Sequence, residues 1–337
     1  MIDEALLRIV SGHSGEKQTF TEPPTAMTGG FLAKIYGFEL DRPPPDLAGR
    51  LVLRVMPRGD AAMRETIVQR AVAEQGYQTP RVVLDGFDTE LGGAFMVMER
   101  AEGEAPLGSL SIGPALLRLP TMIRGVARQL SVAAAQLHDL DPQPIREQFE
   151  SAGIDNGSLG VEARLDEIRV AVDARFGGFE ELLTWLDHRR PALTPEVVCH
   201  GDIHPFNMLV TADGSFSVLD WTNANLCRRE YDVGFTAALL HCAPLPVPRL
   251  ARRPVGAITA SLARRFIDAY HRMAPVNLDV VEWFETLQYG RCVAAVATAA
   301  LVDDGIVGPG HPFRVAAPAM IRQVDIITGV TIALPQP

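Results

Sequence analysis

The chain has 337 residues, 47% of them hydrophobic and 21% charged, which supplies apolar material for one large or two medium domains and excludes extended disorder. A formal net charge of −10 argues against a nucleic-acid surface, and the longest apolar run, residues 292–302, is far too short to span a bilayer. Cys199, Cys227, Cys242 and Cys292 are scattered with no C-x-x-C pair, and the opening Met1-Ile2-Asp3-Glu4 lacks a basic n-region, so a reduced cytoplasmic protein without zinc or a secretory signal is expected.

In chain order, the adjacent Gly29 and Gly30 form either a plain hairpin turn or a loop whose backbone N–H groups approach phosphates. Residues 33–40 are β-rich, Pro43 to Pro45 break the chain, and residues 50–56 resume with alternation. Asp60 is placed to cap a helix that runs to Gln75 and closes at Gly76. Short apolar strands follow at residues 82–84 and, after Gly92-Gly93, at 94–98. From about residue 110 the spacing turns helical: Met122, Val126, Leu130 and Ala133 share a face within 120–139, and further helices are expected over 161–176, 179–189, 255–274 and 278–302. The pattern describes an α+β chain with a small β-rich front over 1–100 and a larger, mainly helical back over 101–337, apposed across a cleft.

Residues 200–220 carry the chemistry. They read His200-Gly201-Asp202-Ile203-His204-Pro205-Phe206-Asn207, then two short β-prone runs around Asp213-Gly214, then Asp220-Trp221-Thr222. In such a hairpin Asn207, just before the first strand, and Asp220, just after the second, share one open end, with Asp202 on the loop leading in. Two carboxylates and a carboxamide converging there suit Mg²⁺, which prefers oxygen ligands and usually keeps only one or two carboxylates beside phosphate oxygens.

The segment resembles the catalytic loop and metal-binding strand of the aminoglycoside phosphotransferase and choline kinase family, small-molecule kinases with a protein-kinase-like fold. The Asp-to-Asn spacing is that of the kinase catalytic loop, and Asp220-Trp221-Thr222 stands where Asp-Phe-Gly stands in protein kinases. The resemblance implies a bilobal fold with five strands and a helix between the third and fourth in its first lobe. It also implies ATP, with GTP an open alternative, Mg²⁺, and a hydroxyl on a small molecule as acceptor. It makes Asp202 the catalytic base, and Asn207 and Asp220 the metal ligands. Arg54 falls where a lysine is expected to hold the α- and β-phosphates, steered by Glu65 on the following helix. Gly29 and Gly30 take the place of the glycine-rich loop, and the hinge falls at Met98, Glu99 and Ala101, where backbone groups of the last two would meet adenine. His200 and Asp232 read as supports for the loop.

Acceptor-facing candidates are Glu282, Glu285, Asp303, Asp304 and the turn from Thr222 to Asn225, although solvated helix faces explain most of them. Arg54 and the reduced glycine loop motivate a second reading, a catalytically silent nucleotide-binding module. A metal-dependent hydrolase using the same acids is a third. A monomer or homodimer fits the sequence equally well.

Overall fold

The computed structural model describes residues 2–27, 33–56, 59–106, 112–155, 160–245, 248–299, 301, 307–308 and 310–334. The first elements are α1 (Ile2–Ser14), β1 (Phe20–Ala26), β2 (Lys34–Leu40), β3 (Arg50–Met56), α2 (Gly59–Glu74), β4 (Val82–Asp88) and β5 (Gly93–Glu99). There follow α3 (Ile112–His138), α4 (Gln143–Ser151), α5 (Val161–Asp173), α6 (Phe179–His188), β6 (Val197–Cys199), β7 (Met208–Val210), β8 (Phe216–Val218) and β9 (Asn225–Cys227). The chain closes with α7 (Arg229–His241), α8 (Arg252–Met273), α9 (Leu278–Thr298) and α10 (Pro312–Thr328). Among the described residues no helix is long and apolar enough to cross a membrane.

Two compact units emerge. The first comprises Met1–Glu104, Glu147–Ile154 and Met208–Thr222; the second comprises the rest. The first unit is built on an antiparallel sheet of order β1-β2-β3-β5-β4. Alternation along β3 sorts its side chains by face. Leu51, Leu53 and Val55 join Phe38, Leu40, Phe95 and Val97 on one side, and Val52 and Met56 join Ala62, Val82, Ala94, Met96 and Met98 on the other. Helix α1 covers the first of these faces through Ala5, Leu6 and Val10. This helix, whose buried positions include the i, i+4 pair Leu6 and Val10, is not among the elements expected from the sequence. Helix α2 begins at Gly59, which puts Asp60 inside its first turn rather than at the cap.

The β7–β8 hairpin belongs to this unit. Its turn forms at the expected Asp213-Gly214, with Gly214 at φ 88° and Asp213 Oδ1 accepting from Ser215 N at 3.1 Å. Glu104 and Val210 exchange two backbone hydrogen bonds of 3.0 and 2.9 Å, tying the hairpin to the strand that leaves β5. Gly103 permits this closeness, because a Cβ there would lie 2.7 Å from the Val210 carbonyl oxygen.

In the second unit α9 is buried on nearly every side, with α5, α6, α7 and α10 packed around it. Its core includes Leu165, Leu182, Tyr231, Phe235, Trp283, Phe284 and Met320. Helix α10 is not among the helices expected from the sequence. Pro312 sits in the first turn, behind a His311 cap whose side chain accepts from Phe313 N, and only Pro318 is interior.

Candidate active site

The loop over 200–207 leaves β6, whose partner is β9, and is anchored from below by Asp232 in the first turn of α7. Asp232 is fully buried and accepts from His200 N at 2.8 Å and Gly201 N at 2.6 Å. His138 Nε2 lies 3.1 Å from the same carboxylate, and His138 Nδ1 lies 2.6 Å from the Tyr270 hydroxyl. Burial opposes the Asp232 charge, but the bond from His138 and the fields of His138 and His200 outweigh it and hold the pKa below the usual range. His200 is itself buried, and its Nδ1 accepts from Asp202 N at 3.2 Å. Gly201 has φ 76° and sits so close to Asn223 that a Cβ would lie 2.5 Å from that residue's carbonyl oxygen. Any other residue there would displace the loop at the position before Asp202.

Asp202 keeps a side-chain exposure of 29%, and His204 Nε2 lies 3.7 Å from its Oδ1. Asn207 Nδ2 donates to Asp202 O at 3.1 Å and to Asp202 Oδ2 at 3.2 Å. With its nitrogen committed to Asp202, the amide keeps its oxygen as the acceptor, the atom a hard cation takes.

The first unit assembles a second constellation. Arg54 projects from β3, only 8% exposed, and its Nη1 lies 2.6 Å from Glu65 Oε1 on α2. Arg54 Nη2 donates to Asp220 Oδ1 and Thr222 Oγ1, both at 3.1 Å. The Thr222 hydroxyl lies 2.7 Å from Asp220 Oδ1 and 3.1 Å from Glu65 Oε2. Burial pushes the Glu65 carboxyl up to about 7 against the pull of Arg54, whereas Glu65 and Asp220 overcome burial and raise the Arg54 pKa. A permanently charged, planar fork thus bridges two acids. Arg54 Nε is buried and has no hydrogen-bond partner among the described residues. Asp202 and Asn207 in the second unit, and Asp220 in the first, each carry hard oxygen donors, the chemistry Mg²⁺ takes.

At the expected hinge, Met98 is buried against α2, where Gln69 Nε2 reaches its sulfur at 3.7 Å. Glu99 N donates to Arg81 O at 3.0 Å, and its side chain pairs with Arg81. Ala101 follows, half-buried, at the start of an exposed segment leading to Glu104. Gly29 and Gly30 lie outside the described residues, as do Asp303 and Asp304. Among the other acceptor-facing candidates, Thr222 is engaged with Arg54, and Asn223 Oδ1 accepts from Arg164 Nη2 at 3.0 Å. Asn225 is buried and Glu282 exposed.

Glu285, half-buried on α9, is different: burial and then the Glu282 charge push its carboxyl up to about 8. Its folded pKa exceeds the unfolded value of about 4.3, so the folded protein binds a proton that the unfolded chain releases between those values. Stability should therefore fall as pH rises from about 5 to 8. Glu285→Gln should flatten that part of a melting-temperature profile and raise its alkaline end.

Sequence reading missed the charged network that backs the loop. Arg164 is buried on α5 and donates to Glu167 Oε1 at 2.6 Å, while Arg291 on α9 donates to Glu167 Oε2 at 3.0 Å. Burial opposes the Glu167 charge, yet Arg291 and Arg164 hold its pKa below the usual carboxylate range. Through Asn223, Arg164 braces the segment against which Gly201 packs.

Comparison with known proteins gives one family. A model described as the phosphotransferase enzyme family matches residues 44–284. Among solved structures, a candidate aminoglycoside phosphotransferase from Ralstonia eutropha JMP134 aligns with TM-score 0.62 and 18% identity, covering 97% of this chain and 98% of that one. A thermostable mutant of aminoglycoside phosphotransferase APH(4)-Ia, in a ternary complex with ADP and hygromycin B, aligns with TM-score 0.59 and 16% identity over 96% and 98% of the two chains. Macrolide 2'-phosphotransferase MphH from Brachybacterium faecium aligns with TM-score 0.52 and 18% identity over 92% and 98%. No curated protein matches the sequence.

Proposed function

Because this chain belongs to the phosphotransferase enzyme family, we propose that it moves the γ-phosphoryl group of ATP, with Mg²⁺, to a hydroxyl of a small molecule. The observation that carries the reading is the pairing of Asp202 with Asn207 on a loop fixed by buried Asp232, with the Asp202 side chain left 29% exposed. Phosphoryl transfer has a loose transition state, so positioning and charge stabilisation account for most of what the protein contributes. Asp202 orients the acceptor hydroxyl and receives its proton late. Asn207 and Asp220 hold the metal, which when bound offsets charge on the phosphate oxygens. Arg54, held by Glu65, takes the phosphates. The β-rich front over 1–100 receives the nucleotide, with Gly29 and Gly30 over the phosphates and Met98, Glu99 and Ala101 at the base. GTP is the alternative donor. The ADP and hygromycin B named in the APH(4)-Ia complex support a nucleotide and a hydroxylated small molecule for this fold.

The first test is ADP release with and without Mg²⁺. Slow, Mg²⁺-dependent hydrolysis of ATP is expected. Tight nucleotide binding with no release under any condition would instead favour a silent nucleotide-binding module.

Arg54→Lys keeps the charge but loses the fork that spans Glu65 and Asp220. Removing one charge-assisted hydrogen bond of about 1.5–3 kcal/mol should weaken nucleotide binding by roughly 10- to 100-fold. Titration of ATP in the presence of Mg²⁺ checks it, and an unchanged affinity would remove Arg54 from the phosphate site.

A further inference from the structure

Asp220 has φ 65°, in the left-handed region that residues with a side chain seldom occupy. Such a conformation persists where the surroundings over-determine it. Besides Arg54, Thr222 and Glu65, the surroundings here include three consecutive residues, Tyr77 to Thr79, on the connection between α2 and β4. Each touches a residue flanking Asp220. Gln78 O accepts from Val218 N at 2.8 Å, fixing the strand that arrives. The Tyr77 ring stands edge-on to Trp221 at 5.7 Å and 82°, and edge-on to Phe216 at 6.2 Å and 64°.

Thr79 does more than either neighbour. Its Oγ1 donates to Val218 O at 2.9 Å and accepts from Trp221 Nε1, also at 2.9 Å. One hydroxyl therefore grips the backbone two residues before Asp220 and the side chain one residue after it. Trp221 is fully buried, so its indole N–H has no water to fall back on. The carboxylate itself is aimed by Thr222 and Arg54 at Oδ1.

We propose that Thr79 is a positioning residue for the metal site: by straddling Asp220 between Val218 and Trp221, its hydroxyl holds that aspartate in the left-handed conformation that presents its carboxylate to Mg²⁺. The inference rests on the phosphotransferase reading of Asp220. It adds a residue 141 positions upstream of Asp220. Valine copies the shape of threonine without the hydroxyl, serine keeps the hydroxyl, and Trp221→Phe keeps a buried ring without the N–H.

The test is the Mg²⁺ dependence of ATP binding, read by titrating Mg²⁺ at fixed nucleotide in the full chain. Thr79→Val should raise the half-saturating Mg²⁺ concentration about tenfold, the equivalent of one hydrogen bond of about 1.4 kcal/mol. Thr79→Ser should stay close to the parent. Trp221→Phe should reproduce the valine shift, and the double variant should add little to either, because one interaction has been removed from both sides. A valine variant with the parent's Mg²⁺ curve would overturn the proposal, as would fully additive shifts in the cycle. If Thr79→Val fails to fold, Thr79→Ser and Trp221→Phe decide alone: a phenylalanine variant with unshifted Mg²⁺ dependence counts against it. Failure of the underlying reading looks different, since the parent and Asp220→Ala would then bind ATP with the same indifference to Mg²⁺.

Discussion

Asp202→Asn is expected to cut the rate of phosphoryl transfer by about 10²–10⁴-fold, the usual contribution of a positioned base, while nucleotide binding with Mg²⁺ survives. Asparagine preserves an oxygen that can accept from Asn207 Nδ2, so the loop keeps the contact now made at 3.2 Å. What it loses is a group able to accept the acceptor's proton. Initial rates of ADP release, set beside an ATP titration, separate the two effects. A variant that turns over as fast as the parent would remove Asp202 from the base role, and one that no longer binds nucleotide would mean its place is structural.

The largest stability effect belongs to Asp232. Its carboxylate is the acceptor for two buried backbone N–H groups and for His138. Asp232→Ala leaves those donors in the core without a partner, and breaking a buried charged network from one side costs about 3–5 kcal/mol. Urea denaturation of the parent and variant measures the difference. A loss under about 1 kcal/mol would contradict the anchoring role, because even one orphaned buried donor should cost that much. Acid should act on the same anchor. The folded pKa lies below the unfolded value of about 3.9, so this contribution is complete above the ordinary aspartate range and disappears as pH falls through the depressed value.

The loop over 200–207 and the hairpin were legible because their information is local. The Asp202-to-Asn207 interval, Asp213-Gly214 and the short β-prone runs lie within a few residues of one another, and the turn chemistry admits few alternatives. The strands β2, β3 and β5 were legible for the same reason, β3 from alternation and the other two from local runs of β-prone or apolar residues. Helix α10 was hidden because proline at a first helical position is indistinguishable in sequence from a proline that ends a helix, although Gly329, which caps it at φ 72°, was an available signal. The networks were illegible for a different reason. Arg164 meets Asn223 across 59 positions, and Trp221 meets Thr79 across 142. A side-chain hydrogen bond between distant residues leaves no periodicity and no spacing. Arg54 shows the intermediate case: its position on β3 was readable, but the bridge it makes between Glu65 and Asp220 comes from how strand, helix and hairpin pack within the first unit.

The most direct measurement follows the phosphoryl group itself. The protein is incubated with γ-labelled ATP and Mg²⁺ alongside aminoglycosides, macrolides, choline-like amines, sugars and amino-acid-like alcohols, and the label is traced by mass. The account predicts that label appears as a phosphate ester on one acceptor class, only with Mg²⁺, and vanishes in Asp202→Asn. Product formed without nucleotide, or label esterified equally well by Asp202→Asn, would contradict it.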